Sequence, residues 1–362
     1  MPLPKIEINK SYKISRKEIL NDYYLMNESR FLSYLGRKEV FMGRAKFGIF
    51  GDGKELPQIA MSKFFKNGDF RSGYYRDQTF MMAIDQLTSD QFFAQLYAHT
   101  DIDKDPHSGG RQMNCHFGTR MLNNSGEWNT LTDIKNSSSD ISPVSGQMPR
   151  IVGLAYASKL YRENNDLSNF QNFSVNGNEV VFGTIGDAST SEGHFWEAMN
   201  ACGVLQVPVV MSIWDDSYGI SVPSEYHTTR NDLSKALSGF QRSSKHDKGF
   251  ELFTVYAWDY IELLNAYSKA EHFARKYHIP CIIHVKEVTQ PQGHSTSGSH
   301  ERYKSKERLQ WEKDNCCIKK MKEWIIQNDI SSLKELTEIE DRAEKSAKES
   351  RDRSWKDYRS SI

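Results

Sequence analysis

The sequence predicts an α/β protein built on a doubly wound parallel sheet, with helical extensions before and after it. Three observations carry that expectation. Four short apolar runs rich in β-branched residues, at 180–185, 207–214, 252–258 and 281–285, have the length and composition of strands buried on both faces. Helical patterns precede or separate them, at 148–163, 192–202 and 259–278, so strand and helix alternate. The chain's 362 residues are enough to give such a sheet a large core.

Taken in order, 15–34 and 89–98 read as helices packed around the sheet. Residues 101–143 form a long polar stretch rich in Gly, Asn and Ser, and loops of that length are usually functional or disordered. From Lys304 onward the chain is highly charged, with Trp311, Ile318, Met321, Trp324 and Ile325 at helical spacing. A solvated helical tail and a subunit-docking helix fit that pattern equally well. The expected organisation is an N-terminal helical extension (1–75), a central α/β domain (76–300) and a C-terminal charged helical tail or linker (301–362).

Lysine plus arginine balance aspartate plus glutamate at 47 each, so no overall field marks a binder of nucleic acid or of a membrane surface. No apolar run approaches the roughly 20 residues a membrane helix needs. The first fifteen residues lack both a continuous apolar stretch and an Arg-rich, acid-poor composition, so no targeting leader is expected. Five cysteines, an odd number without CxxC spacing, argue against a disulfide framework and a structural zinc site. A reducing cytoplasm is the expected location.

Ligands of a parallel sheet gather outside the carboxyl ends of its strands. After the first run comes Gly186-Asp187-Ala188-Ser189-Thr190-Ser191-Glu192-Gly193, and after the second Asp215-Asp216-Ser217-Tyr218-Gly219. A hard cation such as Mg2+ takes one or two carboxylates and fills its remaining positions with phosphate and water, so Asp187 and Asp216 make a candidate pair. Gly186 and Ala188 let backbone approach a diphosphate, and the helix expected from Glu192 directs its positive dipole nearby. Taken bare, Gly-Asp at a strand end is more often only a turn.

Joined across a helix and a strand, the two acidic turns resemble the thiamine-diphosphate motif, which opens Gly-Asp-Gly and closes on Asn-Asn. The resemblance implies thiamine diphosphate and Mg2+ as cofactors, a sheet of the thiamine-diphosphate-binding type, and Asp187, Asp216 and the Tyr218 carbonyl as metal ligands. Gly186 and Ala188 would border the cofactor. The sequence departs from the motif at Ala188, where Gly is usual, and at Asp215-Asp216. The first departure costs little if φ is negative there; the second adds negative charge beside a diphosphate and is expected to tighten the metal or raise dependence on it.

Further strings extend the resemblance to the α-type half of the decarboxylating first component of 2-oxo acid dehydrogenases, nearest the branched-chain type and next the pyruvate type. In Tyr74-Tyr75-Arg76-Asp77, Tyr75 would touch the cofactor and Arg76 would grip its diphosphate with a forked guanidinium; without the resemblance Arg76 reads as a surface arginine. Gly110-Arg111-Gln112-Met113-Asn114-Cys115-His116-Phe117-Gly118 is similar to a loop bordering the active-site entrance. In Ser142-Pro143-Val144-Ser145-Gly146-Gln147-Met148-Pro149, Ser142 and Val144 would be cofactor contacts, Val144 through its main chain. Gln292-Gly293-His294-Ser295-Thr296-Ser297 resembles a phosphorylatable His-Ser loop. A lone loop histidine is usually just solvated, but on this loop His294 becomes the first candidate for proton steering and a cofactor contact, with His116 second.

The implied activity is oxidative decarboxylation of a 2-oxo acid, branched-chain by preference, with the acyl group passed to a lipoyl-bearing acyltransferase component; the cofactor acts as electron sink. The glutamate that such sites need against the aminopyrimidine ring belongs to a β-type partner, so the chain is expected either in an α2β2-like assembly or fused to a β-type half. Pyruvate- or acetoin-type subunits are the neighbouring alternatives. A nicotinamide-binding Rossmann enzyme would need G-x-G-x-x-G near the first strand, which is absent. A non-catalytic cofactor-binding module would keep the metal turn without turnover.

Overall fold

A computed structural model describes residues 13–244 and 246–362; most of the stretch examined for a leader lies outside them. The strands are β1 (Phe70–Ser72), β2 (Asn136–Ser137), β3 (Val181–Gly186), β4 (Val209–Trp214), β5 (Tyr218–Gly219), β6 (Val222–Pro223), β7 (Glu251–Tyr256) and β8 (Cys281–Lys286). Six of them form one sheet in the order β2-β1-β3-β4-β8-β7, with every pairing parallel, while β5 and β6 make a small antiparallel hairpin. Helices α1 (Arg16–Phe41), α2 (Glu55–Ser62), α3 (Gln78–Ala83) and α4 (Ser89–Leu96) precede most of the sheet. Then come α5 (Met148–Glu163), α6 (Gly193–Leu205), α7 (Leu233–Leu237), α8 (Tyr260–Tyr277), α9 (Lys306–Asp314), α10 (Cys317–Gln327) and α11 (Leu333–Ser360).

Side chains alternate across a strand, and both faces of this sheet are covered. Val181, Ile185, Val209, Met211, Ile213 and Ile282 pack under α5, α6 and α7. Their neighbours Phe182, Val210, Trp214, Ile283 and Val285 pack on the other side, where α1, α2, α8 and α10 close the larger core. The doubly wound expectation is met, and four of the strands lie where the apolar runs put them. The 252–258 run differs in one respect: β7 is the sheet edge, and only Val255 of its six residues is buried.

Helix α1 continues past the expected stop at Tyr34 because buried polar contacts carry it. Glu39, fully buried, accepts the Tyr97 hydroxyl at 2.8 Å and pairs with Arg44 at 3.2 Å. The long polar stretch 101–143 contains β2, and Asp140 within it joins Arg71 of β1. Fully buried Arg71 bonds Asp77 (2.8 Å), Ser137 (2.8 Å), Asp140 (2.9 Å) and the Tyr74 carbonyl (3.0 Å). That network fixes the turn carrying Tyr75 and Arg76, since an arginine at this depth is tolerable only with its donors satisfied.

The charged C-terminal segment, read as a solvated tail or a docking helix, places its apolar stripe against this chain itself. Leu336, Ile339, Ala343 and Ala347 are buried, and α11 lies along α1 and α4, with Trp355 edge-on to Tyr97 at 5.0 Å and Arg353 paired with Asp90 at 2.8 Å. The small residues let the helix axes approach closely, a signal that charge content hides. Among the described residues no helix is long and apolar enough to cross a membrane, and all five cysteines are free thiols.

One buried histidine makes stability depend on pH. His278 caps α8 at φ 52°, donates from Nε2 to the Gly177 carbonyl at 2.9 Å, and is pushed down to about 4 by burial and then by Arg162. The folded value lies below the unfolded 6.5, so the penalty is absent above that pH and grows as pH falls toward 4, reaching roughly 3 kcal/mol. His278→Asn, which tolerates the left-handed backbone, is expected to flatten this dependence in urea denaturation at pH 7.5, 6 and 5. Parallel curves for parent and variant would remove His278 as the cause.

Candidate functional site

Strands β3, β4 and β8 end level, with Gly186 opposite Trp214 and Trp214 opposite Val285. The Asp187 amide then donates to the Trp214 carbonyl (3.2 Å) and the Asp215 amide to the Val285 carbonyl (2.9 Å), so the two acidic turns leave the sheet side by side. Asp187 is buried and starts a 3-10 turn over Ala188–Ser191. Ala188 is not among the residues with positive φ, so alanine there carries no backbone strain. Its methyl uses room that Gly219 leaves: a Cβ on Gly219 would stand 2.8 Å from the Ala188 Cβ.

The three carboxylates have different surroundings. Asp215 Oδ2 meets His284 Nε2 at 2.7 Å and its Oδ1 accepts the Ser217 amide at 2.9 Å. Burial pushes Asp215 up, but the His284 bond and charge outweigh it and hold the group below the usual range. Asp216 accepts the Tyr218 amide at 3.1 Å and faces Lys54 Nζ at 3.5 Å. Among the described residues Asp187 Oδ2 has no hydrogen-bond partner, and His227 Nε2 is 4.0 Å away. Burial, then Asp216 and Asp215, drive the Asp187 carboxyl well above its ordinary value. A buried carboxylate with an orphaned oxygen beside a second carboxylate is what a hard divalent cation would satisfy. No group of three or more acidic, His or Cys side chains among the described residues could hold a metal. Backbone and phosphate oxygens would therefore complete the shell, as magnesium allows.

The turn is held from the C-terminal side. Arg308 of α9 donates to the Asp216 carbonyl at 2.8 Å and lies 5.5 Å from the centre of the Tyr218 ring, while Lys304 sits 4.8 Å from that ring. On the facing loops, Arg76 is buried and donates to the Phe50 carbonyl (2.6 Å), the His294 carbonyl (2.9 Å) and His294 Nδ1 (3.1 Å), with the half-buried Tyr75 ring 5.2 Å from its guanidinium carbon. These bonds clamp the His-Ser loop and leave part of the five-donor fork for an anion. Burial, then Arg76, push His294 down to about 4. Its imidazole is thus uncharged near neutrality, able to relay a proton but not to stand as a charged acid.

His116 and Ser142 are brought together, with Nε2 and Oγ 3.1 Å apart and Nδ1 3.2 Å from the Asn114 carbonyl. Val144 is 51% exposed, yet its segment is tied to the β3 turn because Ser145 Oγ donates to the Ser189 carbonyl at 2.6 Å. Gly186 lies beside Tyr74, whose hydroxyl would be 3.4 Å from an added Cβ. Sequence reasoning missed Lys54, His227, His284, Gln290 and Arg308. The string Gly51-Asp52-Gly53-Lys54-Glu55 carried a signal, a tight turn presenting a cation, but its place opposite the acidic turn is a matter of tertiary structure.

Comparison with known proteins identifies the family. A family model described as "Dehydrogenase E1 component" matches residues 23–360. The chain is 27% identical over 242 residues to the 2-oxoisovalerate dehydrogenase subunit alpha of Bacillus subtilis (strain 168), covering 67% of this chain and 62% of that one. It is 25% identical over 327 residues to the mitochondrial subunit alpha of the same name from Homo sapiens, covering 90% and 61%. It is 27% identical over 206 residues to the pyruvate dehydrogenase E1 component subunit alpha of Rickettsia bellii (strain RML369-C), covering 57% and 56%. The matches thus span about three fifths of those relatives' lengths. With the match running through nearly the whole chain, this protein belongs to the dehydrogenase E1 component family.

Proposed function

We propose that this chain is the α-type subunit of a thiamine-diphosphate- and Mg2+-dependent 2-oxo acid dehydrogenase, supplying the diphosphate and metal half of the active site. The observation that carries the reading is the pair of carboxylates at the ends of adjacent parallel strands, one with an orphaned buried oxygen. In this reading Asp187, Asp216 and the Tyr218 carbonyl hold the metal. Arg76 serves the diphosphate, and Tyr75, Ser142, Val144, Gly186 and Ala188 border the cofactor. Bound thiamine diphosphate supplies the electron sink for decarboxylation. His294, uncharged at working pH and held by Arg76, moves protons as the acyl group passes to a lipoyl domain of an acyltransferase component; His116, bonded to Ser142, is the second candidate.

The names of the relatives in Bacillus subtilis and Homo sapiens favour a branched-chain substrate, and that of the Rickettsia bellii relative keeps pyruvate as the second reading. One methylene in a pocket is worth only about 1–3 kcal/mol, so side-chain volume decides by modest factors. The test is turnover of 2-oxoisovalerate, pyruvate and 2-oxoglutarate by the chain assembled with a β-type polypeptide. The expected order puts 2-oxoisovalerate first; turnover of none, with Mg2+ and cofactor saturating, would overturn the reading. In the same assembly His294→Ala is expected to keep decarboxylation with an artificial electron acceptor and lose acyl transfer to a lipoyl domain. Equal losses in both assays would make it a structural residue.

A further inference from the structure

Lys54 is a buried lysine whose ion pair with Asp216 is long. Its Nζ donates to Gln290 Oε1 at 2.7 Å and lies 3.5 Å from Asp216 Oδ2, longer than the roughly 2.8 Å of a charge-assisted hydrogen bond. Buried Lys304, by contrast, has Glu312 Oε1 at 2.6 Å. Lys54 is nevertheless held firmly in place. Gly53, at φ 90°, lies so close to the Thr289 carbonyl that any Cβ would overlap it. The Gly53 amide donates to Glu55 at 2.9 Å, and Glu55 is locked by Arg30 at 2.6 and 2.8 Å. A turn braced this way directs the Lys54 amine at the acidic turn; burial pulls it below its ordinary value, and Asp216 is the first group that favours its charge.

Leaving a charge buried with incomplete partners is unfavourable unless something completes them. Orphaned polar atoms gather on the neighbouring segments: Asp187 Oδ2, His227 Nε2, Thr289 Oγ1 and Gln290 Nε2. The resembled motif closes on two amides, whereas this chain has two carboxylates, Asp215 turned to His284 and Asp216 facing Lys54. A lysine and an aspartate together carry the same net charge as an amide.

We propose that Lys54 is a cofactor-binding residue: its ammonium neutralises Asp216 and donates to the diphosphate of thiamine diphosphate, which lets this acidic turn accept an anionic cofactor. The assignment rests on the proposed function, and the test separates the two. Thiamine diphosphate is titrated calorimetrically, with and without Mg2+, into the chain assembled with its β-type partner. The proteins are the parent, Lys54→Met, Asp216→Asn and the double variant, with thermal unfolding recorded for each.

Lys54→Met, which keeps the stem's apolar contacts, is expected to weaken binding about 100-fold with an unchanged melting temperature, and Asp216→Asn in that background to restore most of the loss, as a coupled pair requires. Asp216→Asn alone is expected to bind and to shift mainly the Mg2+ requirement. A parent that binds no thiamine diphosphate would sink the proposed function itself. If the parent binds and Lys54→Met binds equally, the lysine assignment fails while the function stands. A loss that Asp216→Asn does not restore overturns the pairing, as does tighter Mg2+-dependent binding by Lys54→Met, which would put the ammonium where the metal goes. Should Lys54→Met unfold, Lys54→Arg replaces it. Binding kept near the parent's then supports the cationic role, and binding lost from a folded Lys54→Arg overturns it.

Discussion

Asp187→Ala is expected to abolish Mg2+-dependent binding of thiamine diphosphate in the assembled protein while the fold stays as stable as the parent's or becomes more so. The two halves of that expectation come from the same observation. Asp187 is 3% exposed, its Oδ2 has no hydrogen-bond partner among the described residues, and burial together with Asp216 and Asp215 disfavours its charge. A group so placed burdens the empty fold, since the folded state must either desolvate a carboxylate or protonate it. Removing it relieves that burden. A divalent cation reverses the balance, and losing one of two carboxylate ligands is expected to lower affinity by more than about 100-fold, roughly 3 kcal/mol. The measurement pairs calorimetric titration with thermal unfolding. Parent-like affinity would refute the metal assignment, and a collapse of the melting temperature would show that the side chain supports the fold.

Strand-end acids were legible for a physical reason. Strands β3, β4 and β8 are buried on both faces and read as unbroken apolar runs, and ligands of parallel sheets collect at their carboxyl ends, so Asp187 and Asp216 stood out by position as a candidate pair, a signal the resemblance then strengthened. Strands β1 and β2 escaped notice because Phe70-Arg71-Ser72 and Asn136-Ser137 are short and polar; the ion network around Arg71, not apolar character, holds them in the sheet. Edge strand β7 looked interior because its composition is apolar while its exposure is decided by the absence of a neighbour beyond it.

Apart from Arg76, named through the resemblance, the cationic side of the site was illegible. Lys54 and Arg308 reach the acidic turn from opposite ends of the chain, and neither has local spacing that announces it. Charge balance at a site is a tertiary property: with the sequence alone, Asp216 looks like excess negative charge, and in the fold it faces an ammonium. The charged C-terminus misled in the same way, since its many ionic residues hide a narrow stripe of Leu336, Ile339, Ala343 and Ala347 that suffices against α1.

The isolated chain is expected to turn over no 2-oxo acid and to bind thiamine diphosphate weakly, with both properties appearing when a β-type polypeptide is added. In the proposed reading Asp187, Asp216, Lys54 and Arg76, gathered near the strand ends, would serve the diphosphate end. The loops around them expose apolar side chains instead of closing over a ligand. Met113, Val144, Ile220, Val222 and Tyr226 are 41%, 51%, 59%, 43% and 76% exposed, all on the segments that border the acidic turns or the entrance loop. Exposed apolar groups drawn together on and just after the β5–β6 hairpin, Ile220, Val222 and Tyr226, suit a surface that a partner covers. A cofactor whose ring end stays in water forfeits much of the burial that makes such sites tight, so closure by the partner is expected to raise affinity by about 100-fold or more. The experiment measures decarboxylation of 2-oxoisovalerate and cofactor affinity before and after adding the β-type chain, with sedimentation recording assembly. Ile220→Asp, which puts a charge on the hairpin tip, is expected to weaken assembly and thereby activity. Robust turnover by the chain alone would overturn the half-site reading, because a complete set of proton-handling groups would then have to lie within these residues.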